Sequence, residues 1–254
     1  MLLEIVLVLG FVGFSLAGLW LVRRRVKLET LKEQHDVAAV CFSIVGGLYG
    51  IVLAFVLVSS WERFEEARER TEVEANALRD LYRHASGLPQ PTREDLRRLT
   101  IDYSRSMIDD EWPAMDRDSS SEVSRQIVER IWNTVLATEV TTNKDEVIFQ
   151  NTLGKMDDFA DGRRDRLLYA RVGLPPIVWD FLVVYGFVTV AFSYFFGLRR
   201  IGPQMLMTAA LTATIGATLV IIHEMQTPFR GSVAVQPYGF EQFLDQVERD
   251  GKGG

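Results

Sequence analysis

Apolar residues gather along the chain into four runs of membrane-spanning length. Between the second and third runs the pattern changes to one of amphipathic helices. About 20 mostly apolar residues cross about 30 Å of hydrocarbon at about 1.5 Å per residue. The first run, Ile5 to Val22, carries no charge. The second extends from Val37 to about Ser60. The third extends from about Ile177 to Leu198, with Asp180 one turn inside its start, and the fourth from Gln204 to Ile222. Buried helices of this length without charge are uncommon in soluble folds, so the pattern predicts four transmembrane helices. Nothing basic precedes the first run and Arg23, Arg24, Arg25 and Lys27 follow it, so it reads as a retained anchor.

Residues 61–175 show no lasting strand alternation and read as helix throughout. A first helix continues out of span two with Trp61, Phe64, Arg68, Thr71, Ala75, Leu78, Tyr82 and Ala85 on one stripe. Gly87, Pro89 and Pro91 stop it. Thr92 opens a second helix, with Asp95 as capping-box partner and Leu96, Leu99, Tyr103 and Met107 as its apolar face. Pro113 is expected to end it. Ser119, Ser120 and Ser121 cap a third helix over Val123, Ile127, Ile131 and Val135. A last one runs from about Asn143 to Leu174, over Ile148, Met156, Phe159, Leu167 and Ala170. The fold class is therefore all-α. Residues 1–60 hold transmembrane helices 1 and 2, 61–175 a helical extramembrane bundle, 176–223 transmembrane helices 3 and 4, and 224–254 a C-terminal tail.

Composition sharpens this. Hydrophobic residues make up 48% of the 254 and charged residues 24%, an average that would suit a soluble protein. The two kinds are segregated. Residues 61–175 carry 18 Lys/Arg and 24 Asp/Glu, and the rest of the chain carries only 10 of each. A one-core cytosolic enzyme is excluded as the default. A net charge of −6 and the lack of a basic domain argue against nucleic acid as a partner. The single cysteine, Cys41, allows no intrachain disulfide.

Orientation follows from basic residues in short loops. Arg23, Arg24, Arg25, Lys27 and Lys32 lie between spans one and two, and Arg199 and Arg200 between spans three and four. Both loops belong in the cytoplasm. In a bacterial inner (cell) membrane the N-terminus, residues 61–175 and the C-terminus would then lie outside it.

No Ser-His-Asp spacing, Gly-rich phosphate loop or paired metal ligands are present. His35, His84 and His223 lie in separate segments. The chain does not read as an enzyme, and no cofactor is implied. The acidic group Asp109, Asp110 and Glu111 is a candidate cation site, without EF-hand spacing. Span two carries the most informative face. Ser43, Gly46, Gly47, Gly50 and Ala54 fall within about 100° of a helical wheel. Small residues permit either close helix packing or pore width. Ile51, Phe55 and Val58 lie beside them; this stripe would form an apolar constriction in a ring of subunits, or equally would face lipid. Threonines 208, 212, 214 and 218 of span four divide into two pairs on different faces.

The run Tyr49-Gly50 through Phe55 to Trp61, with Phe64, Glu66, Ala67, Glu74, Ala75 and Asn76, is one part of a familiar pattern. Tyr103 with Glu111-Trp112-Pro113, Arg164 and Arg166 before Leu174-Pro175 and Trp179, and Pro228-Phe229-Arg230-Gly231 with Pro237 and Phe240 are the others. Together, over about residues 37–245, they resemble the bestrophin-like family of bacterial membrane proteins, a domain of unknown function. The resemblance implies kinship with bestrophins, pentameric anion channels lined mainly by their second span with an apolar neck. By that likeness span two would line a pore, chloride would be the ion, and Ile51, Phe55 and Val58 would be neck residues by position. Two features depart from bestrophins. Their helical region is cytoplasmic, whereas the loop charges here place it outside. The calcium clasp of the animal proteins is not implied, because the tail has no tight acidic run.

The expected function is a homo-oligomeric ion channel in the lipid bilayer. The alternative is a non-conducting membrane scaffold or envelope sensor that binds a protein partner through residues 61–175. A subunit of a motor-type proton channel is a third reading. It would place that domain in the cytoplasm beside an ion-coupled partner chain.

Overall fold

The computed structural model describes residues 2–252. Met1, Gly253 and Gly254 lie outside the described residues. Every regular element described is helical. The helices are α1 (Leu2–Arg25), α2 (Leu28–Glu33), α3 (His35–His84), α4 (Thr92–Ser106), α5 (Trp112–Asp116), α6 (Glu122–Leu136), α7 (Asn143–Arg171), α8 (Pro176–Tyr194), α9 (Ile201–Gln226) and α10 (Tyr238–Lys252). The four expected spans fall on α1, the first half of α3, α8 and α9, and all four helices are long and apolar enough to cross a membrane.

The chain forms two compact units. The first comprises residues up to Glu62 and Gly173–Gln226. Here α1, α8 and α9 pack on one another, and Tyr49 and Leu53 of α3 join Leu182, Val190, Ile215 and Ile222 in one core. Small residues set the spacing. A Cβ on Gly186 would stand 2.9 Å from the Tyr49 hydroxyl, and one on Gly18 2.9 Å from that of Tyr194. Several hydroxyl groups inside this unit are paired, as an apolar setting demands. Tyr49 donates to the Leu182 carbonyl at 2.9 Å. Thr212 donates to Ser15 at 2.9 Å, and Thr208 pairs with Ser193 at 3.2 Å. Thr214 and Thr218 bond back to their own helix. The two threonine pairs therefore occupy different faces, as their angles require.

The second unit comprises Arg63–Val172 and the chain from Thr227 onward. Its core joins Leu78 and Leu81 of α3, Leu96, Leu99 and Tyr103 of α4, Ile131 and Val135 of α6, Met156 and Phe159 of α7, and Phe240 and Phe243 of α10. The stretch expected as a tail from 224 contributes to this core. Phe240 and Phe243 are buried at helical spacing on α10, which packs on α4.

Four local expectations are corrected. Along α3 and into the turn that follows it, the expected stripe holds at Thr71, Ala75, Leu78 and Ala85, which are buried and joined by Ala67, Glu74 and Leu81, whereas Trp61 and Arg68 are exposed and Arg68 pairs with Glu65. Thr92 forms no capping box, because Pro91 holds the cap position and its carbonyl accepts from Glu94 and Asp95. Asp95 pairs with Arg98 instead. Pro113 does not end its helix. The chain continues through a π-turn, Met107–Glu111, and Pro113 falls in the first turn of α5, where a missing N–H is tolerated. Helix α7 stops at Arg171, three residues before Leu174, because the residue preceding a proline is driven out of helical geometry and the chain is already extended at Val172. Its start does match, with Thr142 and Asp145 forming a capping box.

Candidate functional site

Helix α3 is packed along one side of its apolar half and bare along the other. Tyr49, Leu53 and Ser60 are buried. Ser43, Gly47, Gly50, Ile51, Ala54, Phe55 and Val58 are all exposed within this chain. Gly46 alone of the candidate residues turns inward, with Thr189 Cγ2 3.6 Å from the position of an added Cβ. Val37, Val40, Ile44 and Leu48 extend the bare face. Phe55 projects furthest, at 71% exposure. The face is apolar from Val37 to Val58 and contains no charged residue. Its one hydroxyl, on Ser43, bonds back to the Ala39 carbonyl at 2.9 Å. Beside it the small residues open a groove of about 500 Å³, closed on the far side by Thr189, Leu211 and Thr214.

The second unit holds a buried charge cluster. Arg166 of α7 is fully buried. Its Nε donates to Glu74 Oε2 at 2.6 Å, and Nη2 reaches Glu74 Oε1 at 3.3 Å. Nη1 reaches Glu111 Oε1 at 3.4 Å and Met115 Sδ at 3.0 Å. The Trp112 ring lies 5.6 Å from the guanidinium carbon. Tyr103 donates to the same Glu74 carboxylate, and the Ser121 N–H donates to Glu111 Oε2 at 2.6 Å. Local structure explains how these groups arrive. The π-turn inserts an extra residue into the helix and turns Glu111 inward. Gly162 lets α7 approach α3 so closely that a Cβ there would sit 3.0 Å from the Glu74 backbone.

Burial pushes the Arg166 guanidinium down, but Glu74, Tyr103 and Glu111 outweigh it and its pKa is raised, so it stays charged. Burial first, and then the Glu74 charge, push Tyr103 well above its ordinary value, so it stays a donor. The cluster is structural. The side chains of Arg166, Glu74, Glu111 and Tyr103 are fully buried.

The segment 228–235 closes over it. Arg230 donates from Nε to the Met115 carbonyl at 3.1 Å and pairs with Asp118. The Trp112 Nε1–H donates to the Val235 carbonyl at 2.9 Å, and its ring meets Phe229 edge-on at 5.8 Å. Gly231 takes φ 80°, a conformation glycine adopts without strain. Glu74, Tyr103, Glu111, Trp112, Arg166, Phe229 and Arg230, scattered through the sequence motifs, thus belong to one assembly.

The acidic candidate does not come together. Glu111 is buried against Arg166 and Ser121, while Asp109 and Asp110 are exposed. Among the described residues no group of three or more His, Cys, Asp or Glu is placed to hold a metal ion. Sequence reasoning missed the burial of Arg166 and Glu74. The signal was register, since Thr152, Met156, Phe159 and Arg166 share the buried side of α7.

Comparison with known proteins agrees with this architecture. The pattern of the Bestrophin-like domain matches residues 9–240. No curated protein matches. Among solved structures, a bacterial bestrophin homologue from Klebsiella pneumoniae is similar at 16% identity and TM-score 0.67, covering 96% of each chain. Two single-substitution variants of that homologue are also similar. One, at 15% identity and TM-score 0.71, covers 100% of this chain and 99% of its own. The other, at 14% and 0.70, covers 95% and 96%.

Proposed function

The chain belongs to the bestrophin-like family, and on that premise we propose that it is a homo-oligomeric ion channel, for anions such as chloride, whose pore is lined by the bare face of α3. The observation that carries the reading is the division of α3 into a packed side and a bare apolar side. An exposed apolar stripe of this length marks a surface that something covers. In a ring of subunits, Ser43, Gly47, Gly50 and Ala54 supply width, and Ile51, Phe55 and Val58 form a neck that gates by dewetting. Gly46 belongs to the intrachain packing and is left out of the pore wall. Likeness to bestrophins supports a pentamer.

The family and the four membrane-length helices make this a membrane protein. The basic short loops support a multi-pass topology in a bacterial inner membrane, with the N-terminus, residues 61–175 and the C-terminus outside the cytoplasm. The deciding experiment is ion flux from liposomes holding the purified protein, under chloride and then potassium gradients. Chloride-selective flux is expected. Silence from an intact oligomer beside a working control rejects the channel and favours a scaffold whose partner protein binds residues 61–175.

A further inference from the structure

A second site lies in the helical unit, at the ends of α3, α4 and α10. A cleft of about 190 Å³ opens there between Arg79 and Arg83 of α3, Ser86 of the turn that follows it, Arg97 of α4, and Gln246 and Asp250 of α10. Its apolar floor is Tyr82 and Phe243, whose rings meet edge-on at 5.4 Å. Three guanidinium groups face one small cleft, with one carboxylate among the lining residues.

Ordinary structural roles do not account for all three. Arg83 sits in the last turn of α3, where a cation offsets the helix dipole, and it reaches Asp80 only at 4.0 Å. Arg97 comes from the second turn of another helix. It stacks over Tyr82 at 4.9 Å and donates from Nη2 to Ser86 at 2.6 Å. Arg79 donates from Nη1 to Asn76 at 2.9 Å. The Nε atoms of Arg79 and of Arg97 are both buried without a hydrogen-bond partner. A buried donor left unpaired is costly, on the order of 1–3 kcal/mol. Nε is likewise buried and unpaired in Arg63 and Arg163, so what sets this place apart is that three arginines line one cleft with a single carboxylate.

We propose that this cleft binds a small phosphate-type oxyanion through Arg79, Arg83 and Arg97. Guanidinium forks match the paired oxygens of a phosphoryl group, whereas a halide offers one centre and no such geometry. Ser86 and Gln246 supply neutral donors, and the Tyr82–Phe243 floor accepts a short organic substituent on the phosphate. The phosphoryl group is supplied by a soluble phosphate compound or by a lipid headgroup. The site stands on its own unit and does not depend on the pore reading.

The test is calorimetric titration of the full-length protein in detergent, at constant ionic strength with chloride as balancing salt. One arm uses inorganic phosphate, the other a water-soluble short-chain phosphatidic acid. Saturable phosphate binding, weakened about tenfold or more by Arg79→Gln or Arg97→Gln, identifies a soluble ligand. Binding confined to the phosphatidic acid, and lost in the same variants, identifies a lipid headgroup. Arg98→Gln, outside the cleft, leaves either unchanged. Arg83→Gln weakens binding and Asp250→Asn strengthens it. Both positions are exposed, so these variants keep the test valid if Arg79 or Arg97 proves necessary for folding. No saturable binding in either arm, or binding indifferent to all four substitutions, overturns the proposal.

Discussion

Arg166 Nε lies 2.6 Å from Glu74 Oε2, and neither side chain has any exposure, although 92 residues separate them in the chain. A desolvated charge pair is weak evidence of net stabilisation, but breaking one is costly because the surviving charge stays buried. Arg166→Ala strands two carboxylates, Glu74 and Glu111. It should destabilise the helical unit by about 3–5 kcal/mol, read as a lowered thermal midpoint in detergent. The double substitution Arg166→Met with Glu74→Gln should recover part of the loss. A single variant as stable as the wild type would show that the pair does not hold the unit together.

Tyr103 gives the cluster a pH signature. Its pKa is raised well above 10.0, first by burial and then by the Glu74 charge. A group raised in the folded state contributes stability that is complete below its unfolded pKa and is lost as pH climbs toward the folded one. The wild type should therefore lose stability above pH 10, more steeply than Tyr103→Phe by about 1.4 kcal/mol per pH unit. Below pH 10 the difference between the two proteins should stay constant. Chemical denaturation of both across that range checks it, and parallel curves above pH 10 would refute the assignment.

Two glycines of α7 separate close approach from helix propensity. A Cβ at Gly162 would meet the Glu74 backbone at 3.0 Å, whereas one at Gly154 meets nothing within 4 Å. Gly162→Ala should cost about 1–3 kcal/mol by forcing α7 away from α3. Gly154→Ala should be stabilising, by about 0.5–1 kcal/mol. Thermal melts of the two variants should move in opposite directions.

The legible parts of this fold are those whose signal is local. The four spans show as uninterrupted apolar runs, and the faces of α4 and α6 show because Leu96, Leu99 and Tyr103, or Ile127, Ile131 and Val135, recur at helical spacing. Arg166 and Glu74 were hidden because a charged residue on a helix is ordinarily solvated, and only a partner from another helix makes its burial tolerable. The π-turn that aims Glu111 inward has no composition of its own. On α3 the small-residue cluster was visible, but a helical wheel cannot say which part a neighbouring helix takes. That Gly46 faces Thr189 while Gly47 and Gly50 stay bare is decided by α8 and α9.

Orientation is open to a direct reading. A periplasm-active reporter fused after Gly254 should give signal outside the cytoplasm if the arginines of the short loops set the topology. The basic residues flanking the other side are largely engaged in the folded unit, Arg70 with Asp165, Arg164 with Asp161 and Arg166 with Glu74. A reporter active only in the cytoplasm would reverse the assignment.

Phe55 is the sharpest probe of the pore. Its ring is 71% exposed, so truncating it removes little packing within the chain. Phe55→Ala should leave the thermal midpoint of the helical unit unchanged. If Phe55 lines an apolar neck, the same change widens and wets the constriction, and chloride flux from liposomes should rise several-fold. Leu53→Ala is the matched control. Leu53 is buried in the core with Leu182 and Ile215, so its truncation should cost about 2–5 kcal/mol of stability without a comparable rise in flux. Equal flux through wild type and Phe55→Ala, with the oligomer intact, would remove this residue from the conduction path and return the bare face of α3 to contact with lipid.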